Sequence, residues 1–527
     1  MKKRYTSILA VLLLLCFALS ACGKPAAPAA TAAPGATAAP AEATPATPIE
    51  KPTETTKDTI TIALQGEPTS LDAQYPDDGN MRPVTDNVLE CLFALDGQTL
   101  EVIPRLATEM KMIDNVTWEV KLREGVKFHD GDTFDAEDAA FSINRIIDPA
   151  FGSQILSDFD TIKEAKVVDA NTIQIITKAA DPLLQKRLTK LVMLSKSFTE
   201  AHTNEQLTLV CNGTGPYKLV KWDRGVNITI ERNEEYWGEK PVIKTGVYRF
   251  LEEPATRVSA LKAGEIDVAV NMYPEYAADM PKAFTEVSYE TYWVRFNELS
   301  GVMANPKIRL AANLAIDRQS LADALFLGYA TPSQGQMGKD GFFGWNPNVP
   351  AYEYDVEKAK ALLKEAGYNG EKVQFVSERG RWLKDGEVTE AVASMLMEAG
   401  FNVEVKIVSW NEWLDTLFNK SKTPDLQFSS TSNDYFDMDR TYSALVHSSG
   451  TQAALSNPEY DKQIEAARSE LDVAKRQQMY YDLAQELHDD PFAIYLMSTN
   501  DLHGGAANLN WTLRKDSKIY LSEMSFS

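Results

Sequence analysis

The chain has 527 residues, of which 44% are hydrophobic, and a formal net charge of -22. That length and composition support several packed units with cores of their own, while a surface so acidic repels nucleic acid and anionic lipid headgroups. The four cysteines, Cys16, Cys22, Cys91 and Cys211, form no CxxC pair and no Cys/His cluster, which argues against a structural zinc site.

The first residues read as a secretory leader. Lys2, Lys3 and Arg4 precede an apolar run over residues 8–19, too short to span a bilayer, and the small residues Ser20 and Ala21 lead into Cys22. The LSAC ending resembles a bacterial lipobox, which implies acylation of the Cys22 thiol and cleavage just before it. Residues 1–21 are therefore expected to be signal peptide. Residues 22–57 are the lipidated cysteine and an Ala/Pro/Thr-rich tether without a single aromatic residue. Such a stretch cannot bury enough surface to offset the entropy of ordering it. No later run is apolar over the roughly 18 residues that a membrane helix needs, so function is expected to lie in the body from about residue 58.

Within that body, TITIAL (59–64) and TWEVKL (117–122) alternate as strands do. The stretch AEDAAFSINRII (136–147) has helical spacing, with Asp135 as N-cap and Asp138 three positions on. Residues 166–177 read as two strands joined at Asp169, Ala170 and Asn171. The stretches GTGPYKLVKW and VNITIERN form a predicted hairpin around Arg224 and Gly225. GTGPY lacks the Gly-Lys-Ser/Thr ending of a phosphate-binding loop and reads instead as a sharp backbone entry to a strand. Next come a helix ended by Gly264 and a strand over 265–270. The pattern restarts with the strand WVRFN and with IRLAANLAIDRQSLADALF, read as one long amphipathic helix ended by Gly328. The helix DVEKAKALLKEAG has Asp355 as N-cap and Gly367 as its stop. VQFVS, EVTEAVASMLMEAG and NVEVKIVSW then make a βαβ unit, which predicts parallel strands. A last helix, AKRQQMYYDLAQELHDD, is followed by the strand FAIYLM.

Several blocks in this order resemble the oligopeptide- and dipeptide-binding proteins of bacterial ABC transporters, that is, the extracellular solute-binding proteins of family 5. The blocks are WEVKLREGVKFHDGDTFDAEDAAFSINRI, GTGPYKLVKW with ERNEEYWG, RVSALKAGEID, NPKIRLAANLAIDRQSL, KAKALLKEAGY and MLMEAGFNVEVKIVSWNEW. The resemblance implies an α/β fold: a two-lobed, periplasmic-binding-protein-like clamshell of type II with an extra domain inserted near the N-terminus. Lobe one would comprise 58–95, 196–292 and 500–527, the inserted domain 96–195, and lobe two 293–499. It further implies a monomeric substrate-binding lipoprotein on the extracytoplasmic face of a bacterial membrane. That protein would capture a peptide or similar small solute and deliver it to an ABC permease and its ATPase, with no cofactor of its own.

A closing clamshell hides its ligand from water, so each ligand charge needs a fixed partner. Asp434, in SNDYFDMD after the predicted strand QFSS, stands where the family carries the acid that meets a peptide ammonium. The Asp-Pro that usually follows is replaced by Asp437-Met438-Asp439, which makes Asp437 the alternative acid. Arg379 and Arg381, in the loop SERGRWLKDG, suit a carboxylate or phosphate. Trp382, Trp410, Trp413, Tyr435 and Phe436 are candidate pocket walls. Each has a structural alternative as well: a helix cap, a solvated arginine, a core aromatic. The altered segment after Asp434 leaves other ligands open, namely an opine, a sugar conjugate, or a chelated metal or haem. Direct metal ligation is not expected, because His129, His202, His447, His488 and His503 lack ligand spacing. A secreted hydrolase remains a further alternative, but HExxH and GxSxG are both absent and no catalytic residue is assigned.

Overall fold

The computed structural model describes residues 57–75 and 79–527. The expected signal peptide, Cys22 and nearly all of the tether lie outside the described residues.

The first strand, Thr59–Leu64, buries Ile60 and Ile62 and leaves Thr59 and Thr61 half-buried, as its alternation requires. It pairs in parallel with Thr245–Phe250 on one side and Val268–Ala269 on the other. The predicted hairpin is Tyr217–Asp223 against Asn227–Arg232. Its entry shows why glycine stands in GTGPY: a Cβ on Gly213 would lie 2.0 Å from the Val88 carbonyl oxygen. The strand expected over 265–270 shrinks to Val268–Ala269. The Glu265 N–H is used to close the preceding helix on the Ala260 carbonyl, and the Asp267 carboxylate accepts the Thr61 N–H at 2.9 Å instead of facing solvent.

Between these strands the chain builds a second, four-stranded antiparallel sheet from Ala107–Asp114, Thr117–Leu122, Thr172–Thr177 and Ile162–Asp169. The helix Ala136–Ile147 packs on it. Its start is a full capping box, with the Asp135 carboxylate accepting two backbone N–H groups and Asp138 reaching back to the Asp135 N–H at 3.2 Å.

In the C-terminal half the βαβ unit forms as expected, with Lys372–Ser377 parallel to Asn402–Ile407 and the helix Asp385–Glu398 between them. Asp355 caps the helix Val356–Glu365 through the Lys358 N–H at 2.8 Å. The long helix expected over IRLAANLAIDRQSLADALF is instead two, Pro306–Leu314 and Arg318–Phe326. Asp317 breaks it by accepting the Ser320 N–H at 3.0 Å and capping a new helix. Arg318, buried beside it, donates to the Tyr495 and Asn313 carbonyls.

One sheet of 11 strands joins these regions. Two of its strands, Lys282–Phe296 and Ala493–Gly505, are far longer than the predicted WVRFN and FAIYLM. Residues 282–287 pair with 500–505, and 291–295 with 493–498. Between Val287 and Thr291 the register shifts, so Ser288, Tyr289 and Glu290 bulge out of this ladder, while Glu290 stays opposite Ser432 of the strand Leu426–Ser432 on its other side. The apolar interior separates on either side of this bulge. Trp293, Phe375 and Tyr495 belong to the largest core, Ile62, Tyr217 and Tyr248 to a second, and Val120, Phe134 and Ile143 of the four-stranded unit to a third.

Candidate functional site

A cavity of about 500 Å³ lies where the three cores meet. The β-bulge contributes Ser288, Tyr289 and Glu290, the four-stranded unit Asp158 and Lys190, and the C-terminal segment Asp516 to Tyr520. Its lining carries seven carboxylates and five Lys or Arg side chains, so it is built to meet charge of both signs.

Most of these charges are already matched. Glu90 accepts from Arg105 at 2.6 Å, Thr214 at 2.8 Å, and both Tyr236 and Trp237 at 2.9 Å, which saturates its carboxylate. Lys518 pairs with Asp86 at 3.3 Å and Arg514 with Asp516 at 2.7 Å. Lys190 bridges Asp158 at 2.5 Å and Asp434 at 2.7 Å. Burial brings its ammonium down to about 8, against the pull of Asp158. Asp501 accepts the Ser517 hydroxyl, and burial raises its carboxyl to about 6. His503 accepts the Asn271 N–H at 3.0 Å and is pushed by burial to about 4, so it faces the cavity uncharged near neutral pH. Among the described residues, Glu290 and Arg381 have no ion-pair partner within 4.0 Å. Burial raises the Glu290 carboxyl, with Arg381 opposing.

Of the residues singled out from the sequence, the structure brings Asp434, Phe436 and Arg381 to the cavity wall. Asp434 arrives there already engaged by Lys190 and Arg440. The other six stand elsewhere. Tyr435 is buried, its hydroxyl donating to the Asp158 carbonyl at 2.9 Å. Asp437 caps the helix Met438–Leu445 and pairs with buried Arg476 through two bonds of 2.8 and 2.9 Å, so it holds structure rather than facing the cavity. Arg379 points outward to Glu390 at 2.9 Å. Trp410 and Trp413 begin the helix Trp410–Phe418 and stack at 4.8 Å, and Trp382 meets Trp413 edge-on at 5.2 Å. Trp413 is fully engaged, its indole N–H on the Phe428 carbonyl at 3.0 Å.

That tryptophan cluster still bears on the site, because it carries the Arg381 loop. The Arg381 guanidinium lies over Trp382 at 5.6 Å and over Trp410 at 5.8 Å. The Asp385 carboxylate accepts the N–H groups of Gly380, Arg381 and Trp382 at 2.9 Å each, and the Tyr292 hydroxyl fixes the Leu383 carbonyl at 3.0 Å. The loop backbone is therefore rigid, while Arg381 itself is exposed.

Sequence reasoning missed Glu290, Lys190, Asp158 and Asp501. Glu290 alone left a trace, an acid breaking the apolar pattern just before TYWVRF. Cys91 and Cys211 are free, half-buried thiols, and burial raises each to about 12. Among the described residues, no group of three or more His, Cys, Asp or Glu side chains is placed to hold a metal ion, and no helix is long and apolar enough to cross a membrane.

Comparison with known proteins places this arrangement. Residues 101–453 match the bacterial extracellular solute-binding proteins, family 5 Middle. The oligopeptide-binding protein AppA of Bacillus subtilis is 24% identical over 489 residues, covering 84% of this chain and 86% of its own. The glutathione-binding protein GsiB of Pectobacterium atrosepticum is 26% identical over 467 residues, covering 85% of this chain and 90% of its own. The periplasmic binding protein DppA of Helicobacter pylori, solved with the peptide STSA, superposes with a TM-score of 0.71 at 23% identity, over 89% of this chain and 98% of its own. The fold is thus the mixed α/β architecture of two-lobed periplasmic binding proteins, and the chain belongs to the bacterial extracellular solute-binding proteins of family 5.

Proposed function

We propose that this protein captures a short peptide in the cavity and delivers it to an ABC permease and its ATPase. One observation carries the reading: the cavity holds an exposed guanidinium, Arg381, on a rigid loop, without an ion-pair partner among the described residues. A ligand carboxylate fits it in bidentate fashion at little ordering cost. The names of AppA and GsiB, both peptide binders, agree with this. Lobe one would be 58–95, 196–292 and 500–527, the inserted domain 96–195 and lobe two 293–499, turning about the bulge at Ser288 to Glu290. Closure would follow from the ligand's higher affinity for the shut state. Acylated Cys22 would hold the protein on the extracytoplasmic face of the membrane through the tether.

Isothermal titration of the mature protein with a peptide panel tests the ligand class. Micromolar or tighter binding of short peptides, lost on amidation of their C-termini, is expected. Binding of another solute with no response to any peptide would overturn it. The anchor has its own test: Cys22→Ala should move the protein from the membrane fraction to the soluble one.

A further inference from the structure

Resting on that peptide reading, we propose that Glu290, and not Asp434, receives the ligand's ammonium. Together with Arg381 it recognises a compact zwitterionic head, in which ammonium and carboxylate lie within one or two residues of each other.

Asp434 is already occupied. One Asp434 oxygen holds Lys190 at 2.7 Å and the other holds Arg440. The Lys190 ammonium, gripped from its far side by Asp158 at 2.5 Å, already fills the role that a ligand ammonium would take there. A ligand choosing Asp434 must first dismantle that network and leave a buried lysine poorly matched.

Glu290 stands differently. It lies in the bulge, where the two long strands leave their register, and lines the cavity half-buried. Ser430 and Trp382 hydrogen-bond to it and Arg381 acts on it from a distance, so it has polar contacts but no ion pair among the described residues. A shielded carboxylate in that state is costly, and an arriving ammonium meets it without displacing any other cation. Burial accordingly raises its carboxyl above the ordinary range.

The surrounding charges act in the same direction. Asp501, on the strand paired with that of Glu290, adds a second carboxylate and Glu286 a third, while Lys339 and Arg381 supply positive charge nearby. The carboxylates of this corner draw a cation beside the place where Arg381 draws an anion. The two groups meet on Trp382, which hydrogen-bonds to Glu290 and lies beneath the Arg381 guanidinium at 5.6 Å, yet they form no ion pair, an arrangement that suits the two ends of a short zwitterion rather than those of a long chain.

The test uses the full mature protein, a set of dipeptides with apolar, polar and charged side chains, their N-acetyl forms, and tetra-alanine. Wild type should bind dipeptides at least tenfold more tightly than their N-acetyl forms or tetra-alanine. Glu290→Gln should lose about tenfold or more for the free dipeptides and nothing for the N-acetyl ones, while Asp434→Asn keeps the preference for the free amine. Glu290→Asp, which retains the charge with a shorter reach, should fall between wild type and Glu290→Gln. Each variant's thermal melting is compared with wild type to show that it is folded. If Asp434→Asn abolishes the amine preference and Glu290→Gln keeps it, the assignment is overturned and peptide capture stands. Equal binding of tetra-alanine and dipeptides by the wild type overturns the compact head. Failure of every peptide removes the capture reading and this assignment with it.

Discussion

Around Lys190 each carboxylate has a cation within 3 Å: Asp158 at 2.5 Å and Asp434 at 2.7 Å. Elsewhere on the lining, Glu290 and Arg381 stand without one among the described residues. The two groups of charges serve different ends. The Lys190 side joins the four-stranded unit to the 434–440 segment, and the Lys186 ammonium on the Phe436 carbonyl at 2.8 Å and the Tyr435 hydroxyl on the Asp158 carbonyl at 2.9 Å reinforce it. Its polar groups satisfy one another, which stabilises an arrangement but leaves little for a ligand to gain. The Arg381 side is held from behind by Asp385 and the tryptophans, and its charged ends form no ion pair among the described residues. The difference teaches that a charged residue at a cavity wall marks a binding group only when its own fold has left it unmatched.

The contrast can be broken by substitution. The largest effect is expected behind the matched wall. Arg476→Met leaves the Asp437 carboxylate buried and unpaired, and should lower unfolding free energy in urea by about 3–5 kcal/mol. A change under about 1 kcal/mol would show that this wall is not the rigid one. On the open wall the effect should move from stability to affinity. Arg381→Gln should weaken binding of a peptide with a free carboxylate by about 1.5–3 kcal/mol in calorimetry, while its melting stays within about 0.5 kcal/mol of wild type. Asp501→Asn sharpens the comparison through pH. Burial holds the folded Asp501 carboxyl at about 6, above the unfolded value of about 4. Between those values the folded protein binds more protons than the unfolded chain, so the acid's contribution is present below pH 4 and lost as pH rises through 6. Asn cannot ionise, so the variant should gain on wild type by on the order of 1–2 kcal/mol between pH 4.5 and 7.5 in denaturant titrations. A pH-independent difference would contradict this. The smallest effect is expected at Arg379, whose partner Glu390 is as exposed as itself. Arg379→Ala should change neither stability nor affinity by more than about 0.5 kcal/mol.

Much of the fold was legible because its signals are local. The capping box at Asp135, the cap at Asp355, the alternation of TITIAL and the βαβ spacing all act within a few residues. Asp317 was legible too, as an acid inside a helical pattern, but periodicity outweighed it. The long strands were missed at their middles, where Glu286, Ser288 and Glu290, and opposite them Ser498, Thr499 and Asn500, interrupt the apolar signal at the bulge. The site was less legible because pairing is a tertiary property. Nothing near Asp434 in the chain announces Lys190, and nothing in SERGRWLKDG separates Arg381, which faces the cavity, from Arg379, which does not. The tryptophans were recognisable as a cluster, yet only packing shows that they support the loop from behind.

The account turns on two halves of the molecule shutting over a small zwitterion at the bulge between their shared strands. Small-angle X-ray scattering of the mature protein, with and without a saturating dipeptide whose binding calorimetry has established, tests this most directly. The account predicts that the radius of gyration falls on ligand addition, and falls less in Glu290→Gln at the same dipeptide concentration. An unchanged scattering profile in the presence of fully bound dipeptide would contradict it.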